Sequence, residues 1–154
     1  MTGAVLVIGV GNPLRGDDGV GREVARRVRA AAGPAVTVIE EEGDGARLLE
    51  AWAGAGTAIL IDATASGAAP GTVRRFDATR QPLPGAAFRL STHAFGLFDA
   101  IELARAIGGL PTALVVYGIE GEVFETGAPL SGAVAAAVPG VVRRVLHELG
   151  ARPR

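Results

Sequence analysis

Gly9-Val10-Gly11-Asn12-Pro13-Leu14-Arg15-Gly16-Asp17-Asp18-Gly19-Val20-Gly21 is the stretch from which the fold is read. Before it stands the apolar run of residues 4–8, small and β-branched, which suits a strand covered on both faces. After it, Val20, Val24, Val28 and Ala31 recur at helical spacing. Arg22, Glu23, Arg26, Arg27 and Arg29 fill the polar face, and Gly33-Pro34 stops the pattern. A strand, a glycine-rich turn with two adjacent carboxylates, and an amphipathic helix open a βαβ unit.

The pattern continues outward. Residues 35–39 predict a second strand with an acidic end at Glu40-Glu41-Glu42. Gly43-Asp44-Gly45 turns into a helix carrying Leu48, Leu49 and Trp52. Residues 57–61 predict a third, buried strand with Asp62 at its carboxyl end. Pro70-Gly71 opens a shorter strand over residues 72–76, and its Arg74-Arg75 places it at a sheet edge. The loop of residues 78–89, with Pro82, Pro84 and Gly85, is long enough for a functional flap. After Ser91-Thr92-His93, Leu97, Ile101, Ala104 and Ile107 mark a helix ended by Gly108-Gly109. Residues 114–117 predict the last strand, followed by Gly118-Ile119-Glu120-Gly121. A terminal helix spans residues 131–149, with Pro139-Gly140 expected to kink or interrupt it.

Composition limits the function. The 154 residues read as one domain, able to bury roughly 68–70% of the unfolded surface without a staple. A formal net charge of −1 offers no electrostatic case for nucleic acid or a membrane surface. The absence of Cys excludes disulfides, thiolate nucleophiles and Cys-based metal sites. No apolar run approaches the ~18 residues of a membrane span, and Met1-Thr2-Gly3 lacks the basic start of a signal peptide. The expectation is a cytoplasmic soluble protein.

In an open parallel sheet, ligands bind beyond the carboxyl ends of the strands. Asp17-Asp18 follow the first strand, Asp62 ends the third, and His93 lies in the loop after the fourth. Two carboxylates and an imidazole suit a borderline divalent metal, leaving positions for substrate or water. A helix N-terminus favours the ionised Asp18 that metal binding requires. Structural roles compete at each position: an aspartate as helix cap, Asp62 as turn former, His93 as the residue before a helix. Asp17 takes the cap and Asp18 the site. His147, on the terminal helix, is assigned to surface or packing. A dinucleotide fingerprint fails at Leu14 and at Pro13, which lacks a donor, although Glu40 stands where a ribose-binding acid would. A serine-hydrolase elbow fails too, because Ser66 lies in Thr64-Ala65-Ser66-Gly67 and Ser91 is too close to His93.

Gly9-Val10-Gly11-Asn12 with Asp17-Asp18-Gly19-Val20-Gly21 resembles the opening motif of the hydrogenase maturation proteases. Asp62-Ala63, Ser91-Thr92-His93 with Gly96-Leu97, and Gly118-Ile119-Glu120 resemble later segments of that family in order and spacing. The resemblance implies an α/β fold: a three-layer α/β/α sandwich around a five-stranded, mostly parallel sheet with one antiparallel strand, for which residues 72–76 are the candidate. It implies an endopeptidase that trims the C-terminal extension from the large-subunit precursor of a nickel–iron hydrogenase. Nickel would come with the precursor, with no permanent cofactor. Asp18, Asp62 and His93 fall on the family's nickel-binding and catalytic positions, and Asn12, Gly43 and Glu120 are the candidate substrate contacts. Metal or glycine-loop N–H groups would stabilise the oxyanion. Asp18 is Glu in some members, which changes the reach by one methylene. Gly121 is Pro in many, a change expected to loosen the last loop. The alternatives are a non-catalytic nickel or precursor chaperone of the same fold and, further off, a nucleotide-binding domain.

Overall fold

The computed structural model describes residues 4–88 and 93–151. Ser91 and Thr92 of the histidine segment, Arg89 of the long loop and the first three residues lie outside them. Strands β1 (Ala4–Val10), β2 (Val36–Glu41), β3 (Ala55–Thr64), β4 (Val73–Asp77) and β5 (Ala113–Glu120) form one sheet in the order β2-β1-β3-β5-β4. All pairings are parallel except β4 with β5, so the expected edge strand is the antiparallel one. The helices are α1 (Val20–Ala31), α2 (Gly45–Trp52), α3 (Leu97–Ile107) and α4 (Gly132–Ala151).

Strand alternation sorts the core into two layers. Val7, Ile59, Ile61, Val115, Tyr117 and Ile119 face α1 and α4, where Val20, Val24, Val28, Val134, Val138, Val141 and Val145 meet them. Leu6, Ile8, Leu60, Leu114 and Val116 face α2 and α3, packed by Leu48, Trp52, Leu97 and Ile101. The result is the expected α/β/α sandwich. No helix among the described residues is long and apolar enough to cross a membrane.

Several boundaries differ from the expectations. β1 runs on through Gly9 to Val10 because Gly9 pairs with both Glu40 and Ile61. β2 includes Glu40 and Glu41. Glu40 is accommodated there by the guanidinium groups of Arg22, Arg26 and Arg29, 3.0, 3.1 and 3.3 Å away. Asp62 lies within β3 rather than at its end, and Gly118-Ile119-Glu120 belong to β5 rather than following it, because Asp62, Ala63 and Thr64 pair with those three residues.

The loop after β4 is not a free flap. Ala78, Leu83, Ala87 and Phe88 are buried in the α2/α3 layer, and Gly85–Phe88 form a 3-10 turn. α4 is not interrupted either. It passes through Pro139 as one helix, the ring standing on its exposed side while Val134, Val138, Val141 and Val145 hold the buried seam.

Candidate active site

The chain leaves β1 for β2 on one side and reaches β3 on the other. The β1/β3 junction is therefore the switch point of the sheet, where a crevice opens beyond the strand ends. The opening loop closes over this junction. Gly11 has φ +133°, and a Cβ there would lie 1.9 Å from the Asp18 carbonyl oxygen. Gly21 starts α1 so close to the sheet that a Cβ would lie 2.1 Å from the Ile61 carbonyl oxygen. These two glycines bring the turn and the first helix down onto β1 and β3.

Asp18 and Asp62 then face one small slot with Val10, Gly11, Gly43, Phe88 and Leu97. They are only 5% and 8% exposed, and the slot holds 10 Å³, about the volume of one water. Asp18 Oδ2 accepts from Asn12 N at 2.9 Å, and Arg15 stands 3.8 Å away. Burial raises the Asp18 carboxyl pKa, partly offset by Asn12 N–H and Arg15. Burial pushes Asp62 well above the usual carboxylate range, and the neighbouring Asp18 charge adds to it, against one N–H bond from Ala63 at 2.8 Å. This is a desolvated carboxylate pair of the kind found at functional sites.

His93 is exposed and does not line this slot. It lies on the lip, facing two adjoining cavities: one of 350 Å³ with Glu42 and Asp44, and one of 180 Å³ with Phe88 and Leu97. Glu42 is shared with the slot on one side, and Phe88 and Leu97 on the other. Among the described residues, no three His, Asp or Glu side chains converge as a closed metal-binding group. The structure thus pairs Asp18 with Asp62 and leaves His93 adjacent.

The proposed substrate contacts divide. Gly43 lines the slot. Asn12 is occupied in its own turn, with Oδ1 accepting from Leu14 N at 2.9 Å. Glu120 is buried and accepts from Thr64 Oγ1, Ser66 N, Ser66 Oγ and Gly67 N, tying β5 to the turn after β3. The opening-loop amides are also committed. Gly11 N donates to Glu41 O, Asn12 N to Asp18, Leu14 N to Asn12 Oδ1 and Arg15 N to Asn12 O, so they form no oxyanion hole in this arrangement.

Asp17 is the residue most misjudged from sequence. It is fully buried and caps no helix. Its carboxylate accepts from Glu122 N, Val123 N, Ser131 N and Ser131 Oγ at 2.7–2.9 Å, while its own N–H donates to Val123 O. Gly121 N, a donor that proline lacks, bonds to Thr64 O at 2.9 Å. The last loop is therefore anchored, not loosened. Phe88 and Leu97, the apolar walls of the slot, carry no chemical signature in sequence; Leu97 reads there only as a helix position and Phe88 only as part of the long loop.

A family model described as hydrogenase maturation protease matches residues 19–148. The chain belongs to the hydrogenase maturation protease family. Its curated relatives include the hydrogenase expression/formation protein HupD of Rhodobacter capsulatus, 32% identical over 150 residues, spanning 96% of this chain and 71% of that protein. HoxM of Azotobacter vinelandii is 30% identical and spans 96% and 73%. The hydrogenase maturating endopeptidase HybD of E. coli superposes with a TM-score of 0.80 at 27% identity, covering 94% of this chain and 91% of that one. This hydrogenase maturation protease is accordingly a peptidase. In it, the minor nucleotide-binding reading also fails on geometry, because Glu40 is saturated by three arginines and is not available to a ribose.

Proposed function

We propose that this protease removes the C-terminal extension of a nickel–iron hydrogenase large-subunit precursor in the cytoplasm, once nickel is in place. The Asp18–Asp62 pair carries the reading. Both carboxylates face one slot, and Asp62 has no basic partner among the described residues. A divalent cation arriving there relieves their repulsion and draws both into the ionised form. Nickel accepts carboxylate and imidazole ligands, and His93 on the lip is the third donor. The nickel belongs to the substrate, so the protease reads a loaded precursor.

Bound nickel supplies polarisation of a water or of the scissile carbonyl. The chain supplies position. Asn12 N–H fixes Asp18, Ala63 N–H fixes Asp62, and Phe88 with Leu97 limits water at the pair. Gly43 offers backbone at the slot for the peptide, while Asn12 and Glu120 act by holding their loops. Without a cation, burial and the neighbouring Asp18 charge disfavour the ionised form of Asp62.

The test is cleavage of purified precursor with and without nickel, followed by intact mass. Loaded precursor is expected to shorten and unloaded precursor to persist. Asp18→Asn, Asp62→Asn and His93→Ala are each expected to slow cleavage by about 10²-fold or more. Wild-type rates in all three variants reject the assignment. Tight binding of loaded precursor by the wild type without shortening makes the chain a chaperone instead.

A further inference from the structure

A cavity much larger than the slot lies away from the carboxylate pair. It is a groove of 860 Å³ between β4, β5 and the second half of α4. The α1/α4 layer leaves the edge strand open on this face, so Val73 and Arg75 line one side and α4 the other. Val73, Ala137, Val141 and the Tyr117 ring give it an apolar floor. Arg143, Arg144 and His147 stand exposed around it.

Glu148 is the one carboxylate in the lining, and it is already engaged. Arg75 Nε and Nη2 reach Glu148 Oε1 and Oε2 at 3.1 and 2.7 Å, and the Tyr117 hydroxyl donates to Oε1. Burial and the Glu148 carboxylate push the Tyr117 pKa up to about 12, so the hydroxyl remains a donor. Arg144 lies over the Tyr117 ring, 5.2 Å from its centre. Among the described residues, no carboxylate pairs with Arg143 or Arg144. Among the described residues, two guanidinium groups without a carboxylate partner therefore border an apolar trough in which Glu148, the one acid of the lining, is engaged by Arg75 and Tyr117.

We propose that this groove is a docking site for an acidic, partly apolar peptide segment of a protein partner, separate from the cleavage slot. Charge complementarity selects the acidic side chains, and the guanidinium fork favours carboxylates. The apolar floor selects the peptide over a small anion, because an inorganic anion gains nothing from covering the half-buried Val73 and Ala137. The recess argues against a membrane surface, which needs apolar side chains that project outward.

The probe is a short fluorescein-labelled peptide of alternating glutamate and leucine, read by anisotropy against the full chain. The wild type is expected to bind it with salt-sensitive affinity. Arg143→Glu, which removes no ring contact or ion pair, is expected to weaken binding, and Arg143→Glu with Arg144→Glu by about tenfold or more. Arg143→Lys with Arg144→Lys, which keeps the charge and loses the fork, should bind more weakly than the wild type and more tightly than the double Glu variant. No wild-type binding, or binding unchanged in the Glu variants, overturns the proposal. Displacement by tripolyphosphate at equal concentration would make this a phosphate site, and adsorption to phosphatidylglycerol vesicles without peptide binding a membrane site; either result also overturns it.

Discussion

Asp62, with no basic partner among the described residues, shows what a buried carboxylate costs a fold. Its folded pKa lies above the unfolded value of about 3.9, so the folded state binds the extra proton. Stability from this group is full below the unfolded pKa and is lost as pH rises through it toward the folded value. Asp62→Asn is therefore expected to raise Tm near pH 7 by roughly 2–4 °C, about 1 kcal/mol, while cleavage falls. Near pH 4 the gain should shrink, because the unfolded carboxyl is then about half protonated and the cost of holding Asp62 ionised in the fold no longer counts in full. Thermal unfolding at the two pH values checks this, and an equal gain at both would show that charge is not the cause. At this scale the sequence was only half legible. Two adjacent aspartates ahead of a helix look alike, and what separates them is distant. Asp18 meets Asp62, whereas Asp17 meets Glu122, Val123 and Ser131. His93 was recognisable through its motif, but its place on the lip rather than in the slot was not.

Among the elements, strands and helices were legible where side chains carry a period. The valines of α1 and the β-branched runs of β1 and β3 declare themselves. Their ends did not, because pairing with a neighbour extends a strand past the residues that favour it, as Gly9 and Gly118 show. Tertiary burial likewise turned the proline-bearing loop after β4 into a wall, since Leu83 and Phe88 found core to pack on. α4 makes a test of the opposite kind. Pro139 stands on the exposed side of a continuous helix, where it withholds an N–H from the preceding turn. Pro139→Ala is expected to stabilise the chain by about 1–3 kcal/mol, lessened by the greater freedom of the unfolded alanine chain. Urea unfolding measures it. A loss of stability would mean that the helix depends on the ring.

For the whole molecule, sheet order does the work that no local pattern reveals. Placing β3 beside β1 brings Asp62 to the turn that carries Asp18, although 44 positions separate the two in the chain, counted from their numbers. The same order leaves β4 at the rim, opening the basic groove far from the carboxylates. Charge at the edge strand was readable from Arg74-Arg75; the groove was not, because its lining joins β4, β5 and α4 across some seventy residues.

Asp17 also has a meaning in time. Its carboxylate bonds groups 105 to 114 positions away, joining the first turn to the approach of the last helix. Contacts closing so long a span form late, after the sheet has aligned both ends. Asp17→Ala is expected to cost about 2–3 kcal/mol, leaving four donors without their acceptor, and to appear mainly as faster unfolding with the refolding rate nearly unchanged. Stopped-flow chevrons would show it, and a matching drop in the refolding rate would place the stitch in the nucleus instead. Faster unfolding alone would make the buried aspartate beside Asp18 a latch on the lifetime of the folded protease.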